Sequence, residues 1–356
     1  MEICLSTMLN NSAGTVKVRF TIGFGNNIFQ YVFARLLAEH HGCQLQHPYF
    51  PGFDIQEKIP LNRNPNLKQT LVRQEEYKTG VYAKYFSYRD SSCNYNVHGF
   101  FEDYTIYKNN LNKIISWFYP VKKQKKRNLV VHLRLQNRLI QVNHYLNLIE
   151  PNSYRELLKQ FDFDELHIVT DLEKWENFTP FDIFKIRKDV LLGPNPGPKW
   201  VKTKDSVDYI NTLIDMFSEY EPIVHCSDSK TIPNTGGLRG GFMEAFDFLR
   251  SFDQIILQNS TFSWWAAVLG GASKVAVFSL WKPSREIDCP NLGQTDYEGW
   301  FGWGSKSDLI SNREESKKYQ ISTWRKMKKR STLINYAFKP LRFLLNRGRW
   351  STDKYK

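Results

Sequence analysis

Three short segments of this sequence place glycine or polar residues where an apolar stretch gives way to a helical pattern. The first is Gly23-Phe24-Gly25-Asn26-Asn27, which is followed by the helical repeat that contains Gln30. Glycines at such a turn let the backbone approach a ligand, and the free N–H groups of a helix N-terminus attract anions or hydroxyl groups. The segment therefore indicates one wall of a binding cleft, although a tight turn without a ligand has the same pattern.

The second segment is His132-Leu133-Arg134, at the end of the apolar run 129–133. Because side chains alternate along a strand, His132 and Arg134 share one face. Arginine presents a planar, permanently charged guanidinium group, which can bind a diphosphate and stabilise the charge that develops on a leaving phosphate. Arg134 is thus a candidate for phosphate binding, and a structural ion pair at the strand end is the alternative.

The third segment spans residues 258–267, with the sequence QNSTFSWWAA, and joins the apolar run 255–257 to a helical pattern. Asn259, Ser260 or Thr261 can serve as the helix N-cap and leave the positive end of the helix facing the strand ends. This arrangement predicts a second anion site, suited to a nucleotide phosphate. The same three residues match a glycosylation sequon, but a turn between two core elements is inaccessible to modification. The two tryptophans are interpreted mainly as packing residues.

Strands and helices that alternate along the chain must position these segments. Such alternation predicts parallel, doubly wound sheets, in which ligands bind at the carboxyl ends of the strands. Residues 50–90 show no clear pattern, and residues 179–240 are interpreted as an insertion with one helix. Strands are predicted at 16–22, 129–133, 166–169, 255–257 and 274–278, and helices at 207–219, 241–252, 262–269 and from about residue 29 to Gly42.

A chain of 356 residues accommodates two such α/β units. The basic run 122–127, KKQKKR, directly precedes the apolar strand at 129–133 and is interpreted as a solvated connector. It divides the chain into an N-terminal unit, 1–125, and a C-terminal unit, 126–310, and leaves a tail, 311–356.

The net charge of +13 belongs mainly to the end of the chain. Residues 325–356 contain eleven Lys and Arg residues and one acid, so the other 324 residues carry a net charge of only +3. A nearly neutral body argues against a nucleic-acid-binding domain, and no nucleic-acid partner is predicted. Basic and aromatic residues are interleaved over 324–350, a pattern typical of a segment that contacts an anionic membrane surface. A basic docking helix and a disordered tail are the alternatives.

Five cysteines lie far apart and include no C-x-x-C pair, which indicates neither a disulfide framework nor a zinc site. A reducing compartment is the simplest interpretation. No run approaches 18 apolar residues, and the first residues lack the pattern of a signal sequence. The sequence therefore predicts a cytoplasmic protein that associates peripherally with the inner membrane through 324–350.

The three segments together resemble, in order and spacing, the motifs of glycosyltransferase family 11, the α-1,2-fucosyltransferases. That family has G-G-L-G-N-Q-M-F-Q-Y near its start, H-x-R-R-G-D at a middle strand and N-S-T-F-S-W-W-A-A-x-L near its end. The last motif is almost intact here at residues 259–269. Gly99-Phe100-Phe101-Glu102 and Thr170-Asp171-Leu172 are weaker similarities, to G-Y-F-Q and S-D-D. The resemblance covers roughly residues 18–283.

The resemblance implies a GT-B fold, in which two Rossmann-like domains face a cleft and the C-terminal one binds GDP-fucose. It also implies transfer of fucose to a glycan acceptor, with inversion at the anomeric carbon and without a metal ion. In that scheme Arg134 holds the diphosphate and His132 supports the strand end. The other implied donor-binding residues are Asn137, Asp171, Asn259, Ser260, Thr261, Phe262 and Ser263, and the other domain supplies Gly23, Gly25, Asn26, Asn27 and Gln30 to the cleft.

The chain departs from the family at the middle motif, where R-R-G-D is Arg134-Leu135-Gln136-Asn137. The second Asp of S-D-D is Leu172. The acid lost at Asn137 is compatible with altered nucleotide recognition, with another donor or with reduced activity. Two alternatives therefore stay open: a glycosyltransferase that uses another nucleotide sugar, and a non-catalytic protein that binds glycan or nucleotide on a degenerate transferase fold.

Two sets of carboxylates are candidates for other chemistry. Glu102 and Asp103 in the N-terminal unit, and Asp171 in the C-terminal unit, are candidates for the general base that deprotonates the acceptor hydroxyl. Asp162-Phe163-Asp164 has the D-x-D pattern of metal-dependent transferases. It precedes its strand, at the sheet edge away from the expected site, so we predict a solvated strand entry and no metal.

Overall fold

The structure is a computed structural model, and its described residues form two parallel β-sheets with helices packed against them. Among these residues, no helix is both long and apolar enough to cross a membrane. Asn137 and the basic segment 324–350 lie outside the described ranges. The ranges are 13–21, 23–59, 64–74, 81–125, 127–135, 148–171, 204–225, 241–278 and 297–308.

The N-terminal unit contains a four-stranded sheet with the order β2-β1-β4-β3, in which every neighbouring pair is parallel. Helix α1, Phe24–His41, connects β1 to β2 and ends at Gly42, whose left-handed φ of 70° suits glycine. A short helix α2, Leu111–Ile115, follows the sheet. The strands are β1 Thr15–Val18, β2 Gln44–Gln46, β3 Lys68–Arg73 and β4 Cys93–His98.

The C-terminal unit contains a six-stranded parallel sheet with the order β7-β6-β5-β8-β9-β10. Counted from β5, this is the order 3-2-1-4-5-6 of a doubly wound nucleotide-binding sheet. The two parallel sheets with packed helices have the α/β architecture that the sequence predicts. The strands are β5 Asn128–Leu133, β6 Glu165–Thr170, β7 Ile223–His225, β8 Gln254–Leu257, β9 Lys274–Phe278 and β10 Trp300–Trp303; the helices are α3 Pro151–Leu158, α4 Lys204–Met216, α5 Gly241–Arg250 and α6 Thr261–Gly270.

Strand β5 is buried at every residue, as is typical of a central strand in a parallel sheet covered on both faces. Leu129, Val131 and Leu133 pack into a core formed within the C-terminal unit. Val130 faces the opposite side, where the buried residues form one core that continues into the N-terminal unit. The middle strand is therefore held from both faces of the sheet.

The two units share this second core through aromatic side chains. Trp264 and Trp265 of α6 are completely buried, and their rings lie 5.1 and 4.8 Å from the ring of Phe29 on α1. The ring of Tyr107 lies 5.6 Å from that of Trp265. Both tryptophans therefore pack, as the sequence indicates, and they join helices of different units. Close packing of this kind transmits strain and resists relative movement.

Several elements differ from the sequence predictions. Helix α1 begins at Phe24, so Gly25, Asn26 and Asn27 form its first turn and do not belong to a loop before it. The sequence does not predict β2, β3, β4, β7 or β10. Strands β3 and β4, with sequences KQTLVR and CNYNVH, are largely polar, and β2 and β7 have three residues each, so none of them shows an apolar run.

The D-x-D pattern lies at the amino ends of the C-terminal strands. Asp162 and Asp164 both bind the guanidinium group of Arg127, and the contact with Asp164 measures 2.9 Å. Arg127 directly precedes β5, and both aspartates precede β6, so these ion pairs join the amino ends of the two strands. Arg127 and Arg134 thus flank the same strand, at opposite edges of the sheet.

A buried histidine pair links β6 to β7. His167 Nδ1 and His225 Nε2 are 2.9 Å apart, so one nitrogen donates and the other accepts. Burial, and then the neighbouring His167, lower the pKa of His225 to about 4. A histidine in an unfolded chain titrates near pH ~6.5, so between these values the unfolded chain binds a proton that the folded chain does not.

We expect the free energy of unfolding to fall by roughly 2 kcal/mol between pH 7 and pH 4.5, because stability is lost where the unfolded state binds more protons. Urea unfolding of the wild type at both pH values measures this loss, and His225→Gln should show a smaller one. The matched control is His98→Gln, which changes an exposed imidazole in the N-terminal unit and should keep the wild-type behaviour. An equal loss in all three proteins would show that the histidine pair does not govern acid stability.

Candidate functional site

The carboxyl ends of four strands bring the predicted segments together. In the C-terminal sheet the order reverses between β5 and β8; Arg134 follows β5, and residues 258–260 follow β8. Such a switch point opens a crevice between the two loops, and ligands of doubly wound sheets bind there. In the N-terminal sheet β1 and β4 are neighbours, so the loops that lead to Gly23 and away from His98 lie side by side.

Helices α1 and α6 meet at their N-terminal turns. Thr261 Oγ1 donates a hydrogen bond of 2.8 Å to Asn26 Oδ1, across a sequence separation of 235 residues. A Cβ atom on Gly25 would lie 2.5 Å from the carbonyl carbon of Thr261 and 2.6 Å from the nitrogen of Phe262. Only glycine permits this approach without displacing the backbone. The first and third sequence segments are therefore in direct backbone contact.

The meeting point of the two helices is positively polarised. The N-cap residues, Gly23 and Ser260, make no side-chain capping hydrogen bond, and the first turns of α1 and α6 contain no acidic residue. The N–H groups of both turns therefore keep their partial positive charge. Arg134 adds a guanidinium group at the end of the neighbouring strand β5. This combination suits a phosphate or diphosphate ligand.

The side chains at the start of α6 divide into buried and accessible sets. Asn259, Ser260 and Ser263 are almost completely buried. Ser263 Oγ donates to the Ser260 carbonyl at 3.1 Å, and the Ser260 hydroxyl has no hydrogen-bond partner within the described ranges. Thr261 and Phe262 are half-buried. A ligand would meet these two side chains and the helix N–H groups, whereas the buried three support the turn.

The end of β5 presents Arg134 and buries its neighbours. His132 is 5% exposed, and its ring lies 5.9 Å from the ring of Phe262. Leu135 is fully buried, and its backbone N–H donates a hydrogen bond of 2.7 Å to Asp171 Oδ1. Arg134 itself is half-buried. His132 and Asp171 thus hold the strand end, and among the described residues that follow β5 directly, Arg134 is the charged one.

Gln30, which the sequence predicts as a cleft residue, is buried in the structure. Its side chain is 1% exposed, accepts a hydrogen bond from Thr21 N at 3.1 Å and donates one to the Gly99 carbonyl at 2.8 Å. Because α1 begins at Phe24, Gln30 lies in the second turn and faces the sheet. It holds the loops after β1 and β4 together. Asn27, one turn earlier, donates its backbone N–H to the Gly23 carbonyl at 3.0 Å and is half-buried.

Glu102 and Asp103 follow strand β4, and both are largely buried. Asp103 Oδ1 accepts hydrogen bonds from the backbone N–H and the hydroxyl of Thr105, at 3.1 and 2.8 Å, and so caps the turn 104–106. Burial, and then the nearby Asp103, raise the pKa of Tyr107 well above its ordinary value. Asp103 therefore stabilises the local fold, and both carboxylates stay candidates for the general base.

No protein-family profile matches this sequence, and no curated protein sequence matches it. Solved structures with some similarity include a mutant of the fucosyltransferase FUT1 from Arabidopsis thaliana in complex with GDP. The two proteins are 11% identical, with a TM-score of 0.38, and the match covers 77% of this chain and 72% of that one. POFUT1 in complex with GDP is another, at 10% identity and a TM-score of 0.34 over 83% of this chain and 100% of that one. Similarity at this level indicates neither a family nor a function.

Gln258 is not among the predicted site residues, although its side-chain oxygen accepts a hydrogen bond from the Arg134 backbone. The available signal is an amide placed directly after a buried strand, where it can extend the ladder of backbone hydrogen bonds. Within the part of the chain that the structure describes, no group of three or more His, Cys, Asp or Glu side chains could hold a metal ion.

Proposed function

We propose that this protein is an inverting glycosyltransferase that transfers fucose from GDP-fucose to a hydroxyl group of a glycan acceptor. The observation that carries the proposal is the direct contact between the first turns of α1 and α6, beside the switch point that presents Arg134. This junction supplies N–H groups and a guanidinium group suited to a diphosphate. The motif at residues 259–269 resembles that of the α-1,2-fucosyltransferases, and this resemblance favours a GDP-sugar as the donor.

The two units have different roles in this proposal. The C-terminal unit, 126–310, binds the nucleotide at its switch point, with Arg134 on the diphosphate and Thr261 and Phe262 beside it. The N-terminal unit, 1–125, supplies the acceptor side of the site. Because the units meet at Gly25 and Thr261, donor and acceptor would lie on either side of one fixed junction.

The reaction requires an acceptor oxygen to attack the anomeric carbon from the face opposite the phosphate. The carbon–oxygen bond to the phosphate breaks, GDP leaves with the electron pair, and the acceptor proton passes to a base. Arg134 and the helix N–H groups stabilise the negative charge on the departing GDP, a task that many transferases assign to a metal ion. The base is one of the three carboxylates that the sequence predicts for this role, Glu102, Asp103 or Asp171.

Calorimetric titration with GDP, GDP-fucose, GDP-mannose and a UDP-sugar, all in the presence of EDTA, tests the proposal. We expect binding of GDP and GDP-fucose, and slow release of GDP from GDP-fucose without added metal. Preferential binding of a UDP-sugar or GDP-mannose would assign a different donor. A folded protein that binds no nucleotide would refute the transferase proposal and favour a glycan-binding role. A requirement for added Mg²⁺ would refute the metal-independent mechanism.

A further inference from the structure

The two residues that follow strand β5, Arg134 and Leu135, are held from both sides by polar side chains. Arg134 N donates a hydrogen bond of 2.7 Å to Gln258 Oε1, and Leu135 N donates one of 2.7 Å to Asp171 Oδ1. Gln258 directly follows β8, and Asp171 directly follows β6. These are the two strands that pair with β5. The backbone of Arg134 and Leu135 is therefore clamped between side chains that follow the two neighbouring strands.

The clamp begins where backbone pairing ends. The register of β5 ends with His132 opposite Leu257 on β8 and with Leu133 opposite Thr170 on β6. The next two N–H groups, those of Arg134 and Leu135, would otherwise lack acceptors in a largely buried setting, and such an N–H group destabilises the fold. Gln258 and Asp171 supply side-chain oxygens in place of the missing carbonyls, and so extend the sheet beyond its last pair.

Gln258 also contacts the second anion-binding element. Its side chain is completely buried, and its backbone carbonyl accepts a hydrogen bond of 2.6 Å from Ser260 N, the N-cap of α6. One residue therefore links the backbone of Arg134 to the start of the helix whose N–H groups face the same crevice. The side-chain amide can have only one orientation here, because its nitrogen cannot accept from Arg134 N.

We propose that Gln258 is a positioning residue that sets the distance between the Arg134 guanidinium group and the N-terminus of α6, so that both bind one diphosphate. This inference rests on the proposed function and goes beyond it, because it assigns a role to a residue that does not contact the ligand. A small displacement of a charged group reduces transition-state stabilisation more than ground-state binding. Loss of the clamp should therefore lower kcat more than it raises KM for the donor.

Three substitutions separate the effect of the length of the Gln258 side chain from the effect of its hydrogen-bonding oxygen. Gln258→Leu keeps the approximate size and removes the oxygen, Gln258→Asn keeps the amide but is one methylene shorter, and Gln258→Glu keeps an oxygen at the same reach. We expect the Leu and Asn variants to bind GDP roughly tenfold more weakly, and the Glu variant to recover most of the affinity. The control is Gln254→Leu, the same change at the opposite end of β8, where the side chain bonds to the Asp162 carbonyl.

The decisive measurement is the double variant of Gln258→Leu with Arg134→Ala, compared with each single variant by GDP titration and by thermal unfolding. If Gln258 acts through Arg134, its substitution should cause no further loss of GDP affinity once the guanidinium group is absent. An equal loss in both backgrounds, or a loss that only follows the fall in melting temperature, would refute the positioning role. Failure of the folded wild type to bind GDP would instead refute the proposed function itself.

Discussion

Replacing Arg134 by Ala should reduce turnover of GDP-fucose by about 100- to 1,000-fold, the effect of removing one preorganised charge-stabilising donor from an active site. Arg134 directly follows β5 at the switch point, where side chains after β6 and β8 bind the backbone N–H groups of residues 134 and 135. Its guanidinium group would bind the diphosphate before transfer and the extra negative charge on GDP afterwards. Rates of GDP release and GDP affinity, measured together, separate the two contributions.

The same strand provides a matched control for this experiment. Arg127 lies just before β5, at the opposite edge of the sheet, where it binds Asp162 and Asp164. Arg127→Ala should leave GDP affinity unchanged. Arg134→Lys keeps a positive charge but loses the planar fork, so it should recover only part of the activity. Wild-type turnover in Arg134→Ala would remove this residue from the mechanism.

Replacing Trp265 by Ala should destabilise the protein by about 3–5 kcal/mol, the range for truncation of a buried aromatic side chain. Trp265 is completely buried, and its ring contacts those of Phe29 and Trp264, at 4.8 and 5.0 Å. Its indole N–H has no hydrogen-bond partner among the described residues, so removal of this group offsets a small part of the loss. Urea unfolding of the variant measures the change.

The cooperativity of unfolding is a second readout of the shared core. Because Trp265 lies in the core that both units share, we expect the wild type to unfold in one transition. Trp117→Ala, which truncates a half-buried indole stacked under Arg35 at 4.2 Å, is the control and should cost clearly less. Separate transitions for the two units in the wild type would show that the shared core does not couple them.

The most reliable predictions from the sequence concern strands that are buried on both faces. The runs at 129–133, 166–169, 255–257 and 274–278 match β5, β6, β8 and β9 to within about a residue at each end. Apart from His132, His167 and Lys274, these runs are apolar, because helices cover both faces of the sheet. The alternation of these strands with helices also predicts parallel, doubly wound pairing, and with it the sheet edge at which ligands bind.

The N-terminal sheet could not be predicted in the same way. Its outer strand β3 is exposed at most positions. Strand β4 alternates apolar with polar residues, a pattern typical of a half-buried strand that the sequence prediction missed. Pairing of such strands depends on neighbours that are distant in sequence, such as Thr70 opposite Tyr95. Local composition does not record those neighbours.

The sequence by itself determined which segments carry the chemistry: a glycine turn, an arginine at a strand end, and an Asn-Ser-Thr turn before a helix. Only the tertiary structure decided which of their side chains are available to a ligand. It buries Asn259, Ser260 and Gln30, leaves Thr261 half-buried, and brings Gly25 against the backbone of Thr261. The physical reason is that the chemistry of a side chain and its spacing along the chain are local properties, which the sequence records directly. Accessibility and hydrogen-bond partners depend on how two separate sheets pack, and the contacts that fix this packing join residues more than 200 positions apart, as Asn26 and Thr261 do.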